Sequence, residues 1–321
     1  MDALTKLKSV VSGAISENEL LAPYTSFKIG GPASYFAVID SLKDLLALIS
    51  QADKLKLPYL ILGSGTNILF SDNGFAGLAI KMNNSKIKVK DEVMECEAGV
   101  LLSKAVGSAL ASGLSGLEWA IGIPGTIGGA ICNNAGAYGG EMSQITDEIE
   151  IIRNHKIRTI TGKKCSFAYR SSIFKTETNK DIIWSAVFNL KRGDKAAIKA
   201  KMDEIILKRK QKEDSYPSAG SVFKNLKLSE AAMKEFTAKY PNFPQEFIKH
   251  LTVPSAWLIE SCGLKGKTIG GAMVSAKHAG RIINIGGATA ENVIMLISVI
   301  KQKVRSEFNL QLMEEIEYRG F

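Results

Sequence analysis

"IGIPGTIGGAICNNAGAYGG", residues 121–140, carries no charged side chain and gives seven of its twenty positions to glycine. Glycine inside a helix or strand weakens it, because the chain loses more freedom on ordering and gains no side chain to pack. A run of this kind is suited to a backbone that something must approach closely. Asn133 and Asn134 add amide groups to it.

Upstream stands a second such turn, "ILGSGTNILFSD" (61–72). Gly63, Ser64, Gly65, Thr66 and Asn67 there combine exposed main-chain N–H groups with hydroxyl and amide donors, a set suited to phosphate oxygens. Two glycine turns, each expected to follow an apolar strand, point to a cofactor with a diphosphate. Neither matches GxxxxGK[ST], and GxGxxG with a downstream acid is absent, so neither a P-loop nucleotidase nor a Rossmann domain is implied.

Around these turns the pattern alternates. "YFAVI" reads as a strand, "SLKDLLALISQADKLK" as an amphipathic helix, and "YLILG" and "GLAIKM" as further strands, which makes a β-α-β unit with more strand. From about Lys86 to Leu190 strand candidates flank the helix "LSKAVGSALASG" and the glycine segment, ending in "EIEIIR" and "IIWSAVFNL". A helix is expected over Lys195–Gln211. The last third holds the helical runs "SAWLIESCG" and "ATAENVIMLISVIKQKVRSEF". The order implies mixed α and β domains, with boundaries at 1–82, 83–200 and 201–321.

The net charge of +9 favours anionic partners without naming one. In "KRGDKAAIKAKMDEIILKRKQK" (191–212), Ile198, Met202, Ile205 and Ile206 form an apolar stripe, so the expected form is a solvated helix with cations at its C-terminal end. No zinc-finger spacing or RNA-binding aromatic signature accompanies it. Cys96, Cys132, Cys165 and Cys262 are far apart and form no CxxC pair; they read as small buried hydrophobes, with no metal site. With no secretory signal or membrane-length apolar run, the expected location is the cytoplasm.

Three more clusters set polar groups beside small residues: "FAYRSSIFK" with Tyr169 and Arg170, "YPSAGSVFKN" with Ser221, Lys224 and Asn225, and "LMEEIEYRG" with Glu314, Glu315 and Glu317. Taken singly, each reads as residues satisfying local hydrogen bonds. Spacing alone does not join them.

A resemblance does. "TSFKIGGPA" (25–33), "GSGTN" (63–67), "GLEWAIGIPGTIGGAICNNAGAYGGE" (116–141), "YRSSIFK" (169–175), "PSAGSVFKN" (217–225), "GLKGKTIGGAMVSAKHAG" (263–280) and "MEEIEYRG" (313–320) resemble, in order, the motifs of the MurB family of UDP-N-acetylenolpyruvoylglucosamine reductases. The resemblance implies an α+β chain: a two-part FAD-binding module of the vanillyl-alcohol-oxidase (PCMH) type, then a smaller α/β substrate-binding domain. It implies that FAD lies on Gly63, Ser64, Gly65, Thr66, Asn67, Gly122, Ile123, Pro124, Gly125, Thr126, Gly128, Asn134, Ala135 and Gly136, chiefly through main-chain donors. NADPH is the implied reductant, and the enolpyruvyl ether of a UDP-sugar the implied substrate, with no nucleic acid or membrane partner.

By the same resemblance Arg170, Ser221 and Glu315 are catalytic, and Tyr169, Lys224 and Asn225 lie near the substrate. Glu315 is preferred to Glu314 because a β-branched residue follows it and it stands five positions before the terminal glycine. His278 reads as structural. The chain departs from the family at Leu226, where a proline is common, at Met313-Glu314, which replace Glu-Pro, and at Gly280-Arg281, which replace Asn-Phe. The short span between Phe174 and Trp184 lacks a tyrosine-bearing loop, as in the second family subtype. Two alternatives stand beside this reading: an FAD-dependent oxidase of another small substrate, and a basic nucleic-acid-binding protein without catalysis.

Overall fold

In the computed structural model, which describes residues 2–176, 180–211 and 214–321, the helix expected after Asp40 forms as Leu42–Lys54. Ser41 caps it by accepting a hydrogen bond from Asp44 N–H at 3.1 Å. Leu45, Leu48, Ile49 and Ala52, spaced three and four apart, are fully buried against Ile39, Leu78 and Ile80. Each buried leucine or isoleucine there contributes about 1.5–3 kcal/mol relative to exposure. The sheet beneath runs in the order Ile15–Leu20, Pro32–Ile39, Phe75–Met82, Tyr59–Leu62, antiparallel at the first pair and parallel at the next two. The two strands of the expected β-α-β unit thus flank a third that comes later in sequence.

A second layer is a five-stranded antiparallel sheet in the order Lys156–Thr161, Thr146–Arg153, Ile182–Asn189, Val93–Glu97, Ile87–Lys90. The helix Leu102–Ala111 buries Leu102, Ala105, Val106 and Ala109 in its core, with Ile127, Ala130 and Ile131 from the glycine-rich segment. Both sheets belong to one compact unit made of the chain up to Leu20, Pro32–Gly65 and Gly74–Gln211.

The other unit comprises Leu21–Gly31, Thr66–Asn73 and the chain after Gln211. Its four-stranded antiparallel sheet runs Ser218–Ser221, Arg281–Asn284, Ala272–Val274, Thr268–Ile269. The helix Ala290–Phe308 covers one face, with Val293, Leu296, Ile297, Ile300 and Val304 in the core. Phe236, Phe243, Trp257 and Phe308 meet in tilted and edge-on contacts beside it.

This division does not follow linear boundaries at residues 82 and 200. Phe27, Ile29 and Leu69 are buried in the same core as Val222, Phe223 and Leu258, so their two short segments fold with the C-terminal unit. Asp72, in one of them, also accepts from Ala290 N–H at 2.9 Å and from Glu291 N–H, at the start of the long helix. The helix Lys195–Lys210 runs across the expected boundary, because Ile198 and Met202 bury against Leu114 and Leu117 of the first unit. Its charges stay on the wet face in pairs such as Lys199–Asp203 and Lys208–Glu204, each worth little at the surface.

Candidate active site

The first glycine turn leaves the strand Tyr59–Leu62 as expected, and Gly65 adopts φ +59°. A Cβ on Gly63 would stand 2.4 Å from Thr126 Oγ1, so this turn lies directly against the second glycine segment. Beneath it Lys81 Nζ donates to the Gly63 carbonyl at 3.0 Å. Burial pushes the Lys81 pKa down from its ordinary value. A half-buried ammonium whose bond is to a neutral carbonyl favours an anion nearby. That is the charge a diphosphate would bring, and in this respect the residues present fit FAD.

The second segment is less simple than its composition implies. It follows a 3₁₀ turn, Glu118–Ala120, rather than an apolar strand, and contains the short helix Ile127–Cys132. The buried Glu118 carboxylate accepts from Ser115 Oγ and from Gly116 N–H. Although burial alone would raise its pKa, these bonds hold it below the ordinary value. Trp119 Nε1 donates to the Gly116 carbonyl at 2.9 Å, and a Cβ on Gly140 would fall 2.1 Å from Trp119 Cδ1. Glycine is needed at 140 by the protein's own tryptophan.

The expected main-chain donors are also partly committed. Ile123 N–H donates to Ala120 O, Gly128 N–H to Ala98 O, Asn134 N–H to Ile131 O and Ala135 N–H to Ala130 O, all at 2.8–3.0 Å. At these four positions the N–H groups are bonded to the chain's own carbonyls. The Asn134 side chain is buried and spent as well, donating to Ala168 O at 3.1 Å and accepting from Ser143 N–H at 3.0 Å. It positions the chain and does not present an amide outward.

What it positions is the turn bearing Arg170. Ala168 and Ser171 exchange both backbone bonds at 3.0 and 3.1 Å, leaving Tyr169 and Arg170 at the tip. Arg170 holds φ +54°, a conformation that costs a residue with a Cβ about 1–2 kcal/mol and clusters at functional sites. The turn is pinned to the glycine segment three times: by Asn134, by Ser172 Oγ donating to Cys132 O at 2.7 Å, and by Arg170 Nη2 donating to Gly136 O at 2.9 Å. The guanidinium also lies 5.3 Å from the ring centroid of exposed Tyr169.

In the second unit, Ser221 ends the strand Ser218–Ser221. Ser218 pairs with Ile283 and Ser221 with Arg281, so three steps on one strand match two on the other. Gly220, at φ +77°, takes the extra residue of this bulge. Without it Ser218 and Ser221 would point to opposite faces. With it both share the face turned away from Ala219, Val274 and Ile282, which are in the helix-covered core.

The C-terminal motif joins the same strand end. Glu315 N–H donates to Val222 O at 2.7 Å and Lys224 N–H to Met313 O at 2.9 Å, around a bridge between Phe223 and Glu314. This pleat puts Lys224 and Glu315 on one side and Glu314 on the other. Glu314 pairs with Lys301 at 2.8 Å, an arrangement that favours Glu315 as the functional acid. Asn67 Nδ2 donates to Glu315 O at 3.1 Å and Asn67 O accepts from Glu317 N–H at 2.9 Å, so Asn67 braces this segment. Asn225 Oδ1 accepts from Ser255 N–H at 3.1 Å at the start of the helix Ser255–Ser261. In both asparagines one side-chain atom holds structure.

Comparison with known proteins settles the family. Residues 211–319 match the model of the UDP-N-acetylenolpyruvoylglucosamine reductase C-terminal domain, and residues 33–155 match that of an FAD binding domain. A UDP-N-acetylenolpyruvoylglucosamine reductase of Clostridium novyi (strain NT) is 38% identical, over 100% of this chain and 97% of the relative. The chain belongs to the UDP-N-acetylenolpyruvoylglucosamine reductase family. The reductase of Caldanaerobacter subterraneus subsp. tengcongensis is 40% identical over 98% of this chain and 97% of its own. The crystal structure of the reductase from Thermus caldophilus matches this reductase with a TM-score of 0.75 at 28% identity, covering 96% of this chain and 99% of that one. The expected order, an FAD-binding module and then a C-terminal domain, is borne out.

Two residues of this reductase were not singled out from sequence. Lys81 had a signal, a lone cation between Ile80 and Met82 in a buried strand. Arg209 had none; its guanidinium stands 5.3 Å from the Tyr138 ring centroid, and a Cβ on Gly122 would meet its Cδ at 2.9 Å. Among the cysteines, Cys96 and Cys165 are buried, with thiols pushed up to about 12 and about 11, whereas Cys132 and Cys262 are half-buried. Among the described residues no cluster of metal-ligating side chains occurs and no helix is long and apolar enough to cross a membrane. The short span between Phe174 and Trp184 includes residues 177–179, which lie outside the described residues.

Proposed function

We propose that this reductase converts the enolpyruvyl ether of UDP-N-acetylglucosamine to UDP-N-acetylmuramate, a precursor of peptidoglycan, with NADPH as reductant, in the cytoplasm. The observation that carries the reading is the triple pinning of the Arg170 turn to the glycine segment. It ties a cation suited to a carboxylate to an uncharged surface suited to a flavin. Gly63, Ser64, Gly65 and Thr66, with Lys81 behind the turn, would hold the diphosphate of FAD, and the uncharged stretch from Gly122 to Gly136 would support the rest. FAD, when bound, supplies the hydride carrier, accepting hydride from NADPH and passing it to the terminal vinyl carbon.

The remaining work falls to side chains of this chain. When hydride reaches the vinyl carbon, the π electrons move toward the carboxylate and negative charge grows on its oxygens. Arg170 stabilises that charge with a planar two-donor fork, and Glu315, as a neutral acid, donates a hydrogen bond to the same group. Ser221 Oγ gives its proton to the carbon bearing the carboxylate and regains one from solvent. A hydroxyl is a weak acid, so the step depends on close placement, which the Gly220 bulge helps to fix. Tyr169 and Lys224 contribute to substrate binding.

The test is a purified, full-length preparation. It should be yellow, release FAD on denaturation, bleach with NADPH under argon and recover its colour when the enolpyruvyl ether is added. A colourless protein that takes up no FAD, or a reduced flavin that the ether leaves reduced, would overturn the proposal.

A further inference from the structure

In the second unit the strand pairing puts Arg281 opposite Ser221. Arg281 N–H donates to His278 O at 2.9 Å and its carbonyl accepts from Ser275 N–H at 2.9 Å, so neither backbone group is given to Ser221. Val222 N–H donates to Gly280 O at 2.8 Å, one position along. Ser221 and Arg281 therefore form the non-hydrogen-bonded type of antiparallel pair, in which facing side chains lie closest, with Cα atoms about 4.5 Å apart. Ile282, the next residue, is in the helix-covered core. Alternation sends Arg281 to the opposite face, the one Ser221 shares.

On that face Arg281 Nε is buried and has no hydrogen-bond partner. The Asp214 carboxylate, which accepts from Ser275 Oγ, does not supply one. A buried charged donor left unmatched is costly unless something else completes it. A guanidinium beside a proton-donating serine is placed to meet an oxyanion attached to the carbon that the serine protonates.

We propose that Arg281 is a substrate-binding residue that contacts the carboxylate of the enolpyruvyl group, in addition to Arg170. The assignment rests on the function proposed above. It makes discrimination between UDP-sugars with and without the lactyl or enolpyruvyl carboxylate depend on residue 281.

The test measures binding to the oxidised FAD-loaded enzyme by calorimetry, using UDP-N-acetylmuramate and UDP-N-acetylglucosamine, which differ by the carboxylate-bearing group. Arg281→Met should weaken UDP-N-acetylmuramate by roughly ten- to a hundred-fold and change UDP-N-acetylglucosamine less than about twofold. Arg281→Lys should recover part of the loss, and FAD content and thermal midpoint should match wild type. Arg281→Gln, which keeps polarity without charge, serves if the methionine variant misfolds and should show the same selective loss. Equal weakening of both ligands would place the contact at the diphosphate and overturn the assignment, as would no weakening of either. A wild-type enzyme that neither binds UDP-N-acetylmuramate nor reduces the ether would overturn the functional reading itself. Normal wild-type behaviour with an indifferent Arg281→Met would sink this inference alone.

Discussion

In the first unit, residues 121–140 present an uncharged surface shaped by backbone bonds and by contacts such as Gly140 on Trp119. In the second, Ser221 and Glu315 are side chains delivered by strand pairing, one through a bulge and the other through the bonds around Phe223 and Glu314. The first kind of construction tolerates little added volume at Gly128, Gly136 and Gly140, where a methyl would press on Ala98, Glu141 and Trp119. The second tolerates exchange of a side chain structurally, since the backbone bonds remain, and loses only its chemistry. Substitutions in the first region should therefore damage FAD retention, and substitutions in the second should damage turnover with FAD in place.

Arg170 tests the comparison most severely, because it is a chemical side chain anchored to the backbone-built region. Arg170→Lys keeps the charge but not the planar fork. Re-oxidation of the reduced enzyme by the ether should slow by about 10²–10³-fold while bound FAD stays near one per chain. Stopped-flow absorbance reads the first quantity and the denatured supernatant the second. Loss of FAD in this variant would place Arg170 with the cofactor surface instead.

Gly63→Ala should act the other way. Its methyl would press on Thr126 Oγ1, and overpacking of this kind costs about 1–3 kcal/mol. FAD affinity should drop by roughly ten- to a hundred-fold, with Thr126→Ala in the same chain restoring much of it. Failure of the second substitution to restore binding would show that the two turns are not coupled through this contact.

Lys81→Met should weaken FAD by about tenfold and leave the apo-protein as stable or more so, since a half-buried ammonium is removed. The pH dependence has a defined sign. Burial depresses the Lys81 pKa, so the charge that attracts a diphosphate is present below that value and lost as pH rises through it. Wild-type FAD affinity should fall across that window, and Lys81→Met should be flat there. Parallel titrations of the two proteins by flavin fluorescence decide it.

The smallest effect belongs to the bulge. Gly220 has open space around a built Cβ but adopts φ +77°. Gly220→Ala should cost about 1 kcal/mol of stability, read as a lower thermal midpoint, and slow re-oxidation more than flavin reduction.

Much of this organisation is legible in the sequence, and the exceptions have physical causes. Periodicity finds the helices Leu42–Lys54 and Ala290–Phe308 because their apolar faces each meet one core. It misplaces the boundaries because Phe27, Ile29 and Leu69 look apolar whichever core receives them. Composition exposes the glycine segment, but not that Gly140 answers to Trp119 or that four of the N–H groups there are already bonded. Motif resemblance singles out Ser221 and Glu315 as candidates. The bulge that turns Ser221 toward Arg281 depends on register, which no single strand specifies. The bracing bonds of the Asn134, Asn67 and Asn225 side chains are likewise not legible in sequence, because they depend on which distant segment each asparagine meets.

The most direct test of the division between a cofactor surface and a side-chain acid is Ser221→Ala followed through both half-reactions under argon. Reduction of the bound flavin by NADPH should proceed at close to the wild-type rate, while recovery of colour on adding the enolpyruvyl ether should slow by about 10²–10⁴-fold. Equal slowing of both steps, or wild-type recovery of colour, would contradict the account.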